Sequence, residues 1–318
     1  MSNATTLAAT HVRESAPPEM PVDAPAVPPG MRHTRIGPES SWLLDLREMW
    51  QFRELLWTLA ARDLKVRYKQ TILGVAWVVL QPLATALILT FVFGTVLRIP
   101  FPGGIPPLLF IFSALTGFYL FRDIVNRAGS TLVSNRQLVS KIYFPRVLLP
   151  MSAVVNALVD FGVGLALFLV IWVVAALRAD GSSGIVVPAP GLHLLLWPVC
   201  VALLIMISLG IGMAATAMAT SWRDVGHVIP VLLMLTLYAS PVMYDLSYAL
   251  SPDIATWKQI AYFSNPLAGL VSAYRWSLIG GGTVSWLAFA WSAIAAVGLL
   301  VGGIVVFKRM ERRFADVI

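Results

Sequence analysis

The sequence predicts an all-α polytopic membrane protein with six transmembrane helices, and three observations predict it. Hydrophobic residues make up 58% of the 318 positions, and mean hydropathy is +0.78, beyond the range of soluble domains. Charged residues are only 12% and act as punctuation between apolar windows, because a charge at mid-bilayer costs about 2.5–3.5 kcal/mol. Lysine and arginine also fall unevenly on the two sides that those windows would separate.

In chain order, residues 1–40 hold Pro17, Pro18, Pro21, Pro25, Pro28 and Pro29 among alanines and mixed charges. They show no apolar core of signal-peptide type and read as a disordered cytosolic tail. Residues 41–70 read as an amphipathic helix. Leu46, Met49, Trp50, Leu56, Trp57, Ala60 and Leu64 line one side, and Arg62, Lys65 and Lys69 share another at helical spacing. Such a helix lies in the headgroup layer, with its cations on anionic lipid. A plain membrane anchor is the simpler reading.

Residues 71–307 read as the six-helix transmembrane domain. No charge lies between Lys69 and Arg98, and only Asp160 interrupts Arg146 to Arg178. Further windows run from Asp180 to Arg223, from Asp224 to Asp245, and from Arg275 to Lys308. Leu108 to Phe121 is short for a span, which needs about 20 residues. Parity retains it: without it, the charges from Arg122 to Arg146 would share a side with Arg98. Six spans then place nine Lys/Arg before Thr71, five from Arg122 to Arg146, Arg223 and four after Phe307 on one side. Only Arg98, Arg178, Lys258 and Arg275 lie on the other. Both termini are therefore expected in the cytosol, with residues 308–318 as a basic cytosolic tail.

Between spans two and three, Asn135 is placed to cap a short helix of about two turns from Gln137 to Tyr143, ended by Pro145. A charged helix there suits docking into a partner's groove, or serves merely as a topology anchor. After the fifth span, Ser251-Pro252-Asp253 and Asn265-Pro266 each read as a helix start. Gly280-Gly281-Gly282 reads as a stop. Two short re-entrant helices beside a transport pathway are expected. Ser240-Pro241 is expected to kink the fifth span.

Several function classes are disfavoured. The net charge of +7 is distributed by membrane side rather than clustered as for nucleic acid. Cys200 is the only cysteine, and His11, His33, His193 and His227 are scattered, which argues against a disulfide or a metal site. No phosphate-loop motif is present and Gly-Lys never occurs, so any ATP-derived energy is expected from a partner that binds ATP and Mg. Asp160 is either part of a proton relay or, more simply, hydrogen-bonded through Asn156 or at a dimer seam. Trp77, Phe112, Phe118 and Tyr119 could line a channel or face lipid. Gly298-x-x-x-Gly302, with Gly162/Gly164 and Gly210/Gly212, predicts close helix packing and allows a dimer contact.

Five strings carry a family resemblance: DLKVRYKQTILGVAWVVLQPL, NRQLVSKIYFPRVLLP, WRDVGHVIPVLLMLTLYASPVMY, NPLAGLVSAYR and ERRFADVI. In this order and spacing, across about residues 45–318, the chain resembles the permease subunit of type-2 ABC exporters of polysaccharides (O-antigen, capsule or teichoic acid). The resemblance implies a homodimer in the bacterial inner membrane, with two copies of an ATP-binding subunit and a lipid-linked glycan as substrate. It implies that the loop from Asn135 to Arg146 carries a coupling helix seated in the ATPase. Asn135, Gln137, Leu138, Lys141 and Arg146 would belong to it, with the charges keeping it out of the bilayer, and Tyr143 and Phe144 would anchor it at the interface. Arg62, Lys65, Arg67 and Lys69 would border the place where lipid-linked substrate is admitted. Pro241, Tyr244, Asn265, Pro266, Tyr274 and Arg275 would belong to an outer gate. A drug or small-lipid exporter of the same class is the alternative. A membrane glycosyltransferase would need clustered acids or a basic substrate pocket at one membrane face, neither of which the sequence shows, and a secondary transporter would need more intramembrane charge and an internal repeat.

Overall fold

The computed structural model describes residues 50–69, 76–141, 144–179 and 186–311, all within one compact unit. The predicted tail 1–40 lies outside them, as do residues 312–318. Among the described residues there is no strand. Ten α-helices follow in order: α1 Arg53–Lys69, α2 Ala76–Leu89, α3 Pro107–Ser134, α4 Arg136–Lys141, α5 Leu148–Arg178, α6 Trp197–Ser221, α7 Val225–Ala239, α8 Thr256–Phe263, α9 Pro266–Ile279 and α10 Trp286–Glu311. The last runs past the predicted boundary at Phe307. Five helices are long and apolar enough to cross a bilayer: 76–96 (with a π-helical extension of α2), 107–134, 148–178, 192–221 and 286–311.

Two predicted spans come out differently from expectation. The doubtful segment at Leu108–Phe121 is the first half of α3, a 28-residue helix about 42 Å long. It continues through Arg122, Asp123 and Arg127, which the sequence placed in a loop. Conversely, α7 has only 15 residues, about 22 Å, short of a bilayer core of about 30 Å. Ser240-Pro241 ends this helix rather than kinking it, since Ser240 is already extended (φ −113°, ψ 151°). Even so, α7 runs along most of α3. Ile229 approaches Gly129 near one end of α3, while the Pro241 carbonyl bonds Arg275, which stacks on Phe110 at the other.

α3 is the central post, with every residue from Leu109 to Phe118 buried, and it packs on α5, α6, α7 and α9. Lipid is as apolar as leucine, so these contacts are won by close packing rather than by excluding water. Small residues therefore mark the crossings. A Cβ on Gly210 would lie 2.3 Å from the Leu299 carbonyl oxygen, and one on Gly303 2.1 Å from that of Gly210. α6 and α10 thus touch backbone to backbone. The predicted pair Gly298 and Gly302 faces open space, as do Gly162 and Gly164. The packing glycine of α10 is Gly303, one residue round the helix from the motif.

Candidate functional site

At the C-terminal end of α3, three helices converge on one carboxylate. Asp160 of α5 has a side chain 7% exposed, and its Oδ2 accepts from Arg67 Nη1 of α1 at 2.5 Å. The same oxygen accepts from Arg127 Nη2 of α3. α3 extends the ladder: Asp123 pairs with Arg122 at 2.8 Å and with Arg127 one turn on at 4.0 Å, while Arg122 lies 4.2 Å over the Tyr119 ring. Among the described residues the Asp160 carboxylate is bound by arginines on two neighbouring helices, where the sequence offered Asn156 as the hydrogen-bonding partner. The Asn156 Oδ1 finds no hydrogen bond among the described residues.

α1 is held here by its apolar side, where Leu55, Leu56 and Leu59 pack against Leu148, Leu149 and Phe307. Trp50 and Trp57, expected beside Leu56, are instead 70% and 62% exposed, as suits interfacial tryptophans. Between α1, α3 and α5 opens a groove of about 660 Å³ lined by Arg62, Arg67, Arg127, Asn126, Ser130 and Asn156. Arg62 is fixed in it by Asp63 at 2.7 Å and by the Asn135 Oδ1 at 2.6 Å. Lys65 and Lys69 are exposed and do not line this groove, so the predicted cationic face divides. An 80 Å³ cavity next to Asp160 gathers Trp77, Phe112 and Tyr119. Phe118 and Tyr119 border a third, of about 300 Å³. Phe112 and Phe118 are themselves buried in the helix packing, whereas Trp77 is 52% exposed.

The six residues expected at an outer gate gather at the opposite end of α3. Asn265 caps α9 by accepting from the Leu267 N–H at 3.0 Å, and Pro266 follows in the first turn. The Asn265 Nδ2 ties this start to Ala239 O and Ser240 Oγ, each at 3.1 Å. The hydroxyls of Tyr274 and Thr116 lie 3.0 Å apart, and Tyr244 donates to Tyr262 at 3.2 Å. Arg275 is wholly buried and donates to the Pro241 and Tyr244 carbonyls at 2.9 and 3.3 Å. It also lies 3.9 Å over the Phe110 ring. Its ionic partner is Asp245 at 3.6 Å, which sequence reasoning missed. The available signal was that a lone arginine in an apolar helix demands a counter-charge. Burial lowers the Arg275 pKa to about 10, against the opposing pull of Asp245 and Tyr262. Burial alone would raise the Asp245 pKa, but hydrogen bonds from Thr283 and Ser247 outweigh it and hold the carboxyl below its ordinary range. Gly280 closes α9 in the left-handed region at φ 65°, as expected of a stop. The other predicted start is displaced: Ser251-Pro252-Asp253 forms a turn, with the Ile254 N–H on Ser251 O at 3.1 Å, and α8 begins at Thr256.

Comparison with known proteins places this architecture. The family model for ABC-2 type transporters matches residues 54–279. The chain belongs to the ABC-2 type transporter family. It is 32% identical over 230 residues to the O-antigen export system permease protein RfbA of Myxococcus xanthus, covering 72% of this chain and 82% of that protein. Identity to the O-antigen export permease RfbA of Klebsiella pneumoniae is 26% over 267 residues, or 83% and 95% of the two chains. Identity to the polysialic acid transport protein KpsM of Escherichia coli is 24% over 255 residues, 80% and 92%.

In this ABC-2 chain the segment expected to couple to an ATPase contains α4, six residues long. Asn135 does not cap it with its side chain. The Asn135 Nδ2 donates back to Thr131 O at 2.9 Å, closing the end of α3, and only its backbone carbonyl accepts from Leu138 and Val139. Gln137 and Lys141 are exposed, while Leu138 packs into the cluster around buried Phe144. Arg146 Nη1 donates to the Glu311 carbonyl at 2.9 Å, fastening the end of α10. Tyr143 lies outside the described residues.

Proposed function

We propose that this chain is the permease subunit of an ATP-driven ABC exporter that moves a lipid-linked, O-antigen-like polysaccharide from the cytosol across a bacterial inner membrane. In this reading α7 counts as a span, the fifth in chain order, which brings the total to six, and both termini lie in the cytosol. The chain works as a homodimer with two ATP-binding subunits, which bind ATP and Mg, and it has no hydrolytic role of its own. α4 docks on the ATPase, with Lys141 presented to it, and α8 and α9 form the re-entrant outer gate.

The observation that carries the proposal is the groove beneath α1. A polymer on a lipid carrier must leave the bilayer sideways through the headgroup layer. The groove lies beside an interface helix and is lined by three guanidinium groups, a donor set suited to an anionic linker between lipid and sugar. Relatives named for O-antigen and polysialic acid transport favour a glycan over a drug or small lipid.

The test is depletion of this chain in its own cell, tracking long lipid-linked glycan. Loss from the surface with accumulation on the cytosolic face is expected. Normal surface glycan and unchanged internal pools would overturn the reading in favour of another cargo.

A further inference from the structure

We propose that Asp160 is a specificity residue. It is a built-in counter-anion that makes the groove beneath α1 select headgroups carrying two or more negative charges over singly charged phospholipid. The inference rests on the reading of that groove as the place where lipid-linked substrate is admitted.

The groove opens at the membrane interface, where anionic phospholipids are abundant and attracted to basic side chains. Arg62, Arg67 and Arg127 line it, and Asp63 is the one acid among the lining residues. Guanidiniums at an interface with no buried counter-anion would be occupied by any passing phospholipid. Asp160 changes the competition. Its carboxylate is almost buried, yet the Arg67 side chain that it holds is 44% exposed and reaches it across from α1. Arg127 grips the same carboxylate oxygen from α3.

A monoanion that draws Arg67 away exchanges one ion pair for another. It also leaves a nearly buried carboxylate with one partner fewer, which is unfavourable in a low-dielectric setting. The exchange brings no net gain. A headgroup with two or more charges can engage Arg67 and Arg62 together while Arg127 keeps Asp160 compensated. Asn126 and Ser130, on the same wall, supply neutral donors for its remaining oxygens. Discrimination thus comes from the cost imposed on the wrong partner as much as from contacts to the right one.

The same rearrangement would loosen α1. Arg67 is the ionic tie from this helix to α5, so a headgroup that captures it weakens the hold of α1 on the bundle as it binds.

The test uses the full-length permease in phosphatidylcholine nanodiscs and two probes with identical acyl chains: dioleoyl phosphatidylglycerol, with one negative charge, and dioleoylglycerol diphosphate. The wild type is expected to prefer the diphosphate by at least about tenfold, and Asp160→Asn to reduce that ratio to under about threefold. The change should come mainly from tighter phosphatidylglycerol binding. Asp160→Ser is a second neutral variant should the first fail to fold, and Asp160→Glu should restore the preference. An unchanged ratio in the neutral variants would overturn the role of Asp160 and leave the groove's assignment standing. Failure of the wild type to bind either probe would overturn both. Inorganic pyrophosphate is expected to compete only at concentrations at least about tenfold higher. Equal potency would overturn the assignment to a lipid headgroup.

Discussion

Arg275, near the N-terminal end of α3, has 0% of its side chain exposed, whereas Arg67, near the other end, has 44%, although each faces a nearly buried aspartate. Around Arg275 the chain supplies two backbone carbonyls, an aromatic face and Asp245. Around Arg67 it supplies a carboxylate that Arg127 also binds, and an open groove. The first guanidinium is enclosed by its own protein, with Nη1 on two carbonyls and Nε and Nη2 making no hydrogen bond among the described residues, and it acts as a fastener joining α9 to the end of α7. The second is nearly half exposed and borders a groove, as a group must if it is to meet a ligand. Burial of a charge does not mark a site in this bundle. Exposure of a charge beside a cavity does.

Cutting the fastener should give the largest effect. Asp245→Ala leaves Arg275 buried without a counter-charge, and breaking such a pair costs about 3–5 kcal/mol. Cys200 is buried and is the chain's only cysteine, so a thiol-reactive dye reports unfolding in detergent directly. Its transition should move to markedly lower temperature in Asp245→Ala. The double variant Asp245→Ala/Arg275→Met should recover part of the loss. A transition in Asp245→Ala equal to wild type would end the view of this knot as structural.

The same end should resist added volume. A Cβ at Gly269 would come within 2.4 Å of the Ala288 backbone, where α9 crosses α10. Gly269→Ala should cost about 1–3 kcal/mol by the same assay. Gly298→Ala, facing open space, should cost nothing measurable. Equal effects would mean that the two glycines are not distinguished by packing.

At the other end the expectation inverts. Because Arg67 is half exposed and Asp160 keeps Arg127, Arg67→Gln should change stability by less than about 1 kcal/mol. Surface glycan in cells carrying it should nevertheless fall by about tenfold or more. A variant that lost stability and export in proportion would show that Arg67 is a second fastener.

These two ends were unequally legible in the sequence. Asn265-Pro266 and Gly280 announced α9 because capping and left-handed termination are local chemistry, decided within three or four residues. The groove was not announced. A search for charge-free windows treats every charge as isolated, so Arg122 and Arg127 were read as lying beyond the span, in a loop. In the fold, α3 carries them onward because Asp123 and Asp160 neutralise them, and Asp160 belongs to another helix. The glycines fail similarly. G-x-x-x-G spacing is satisfied by Gly298 and Gly302, but the crossing with α6 selects Gly303, and the angular position of a neighbouring helix is not written in the spacing.

The smallest effect is a pH dependence confined to the fastener. Asp245 has an ordinary pKa of 3.8, and its hydrogen bonds from Thr283 and Ser247 hold the folded value lower. The unfolded chain therefore takes up a proton at this carboxyl before the folded one does. Its contribution to stability is complete above pH 3.8 and is lost as the pH falls through the lower folded value. Arg275 adds nothing in that range, since its own shift, to about 10, acts only in alkali. A thermal transition followed by intrinsic tryptophan fluorescence from pH 6 to pH 3 should fall in the wild type. In Asp245→Asn the fall should be shallower, starting from a lower transition at pH 6. Parallel slopes would place the acid sensitivity on other carboxylates, Asp160 first among them, and would move the pH-dependent tie from the sealed end of α3 to the open one.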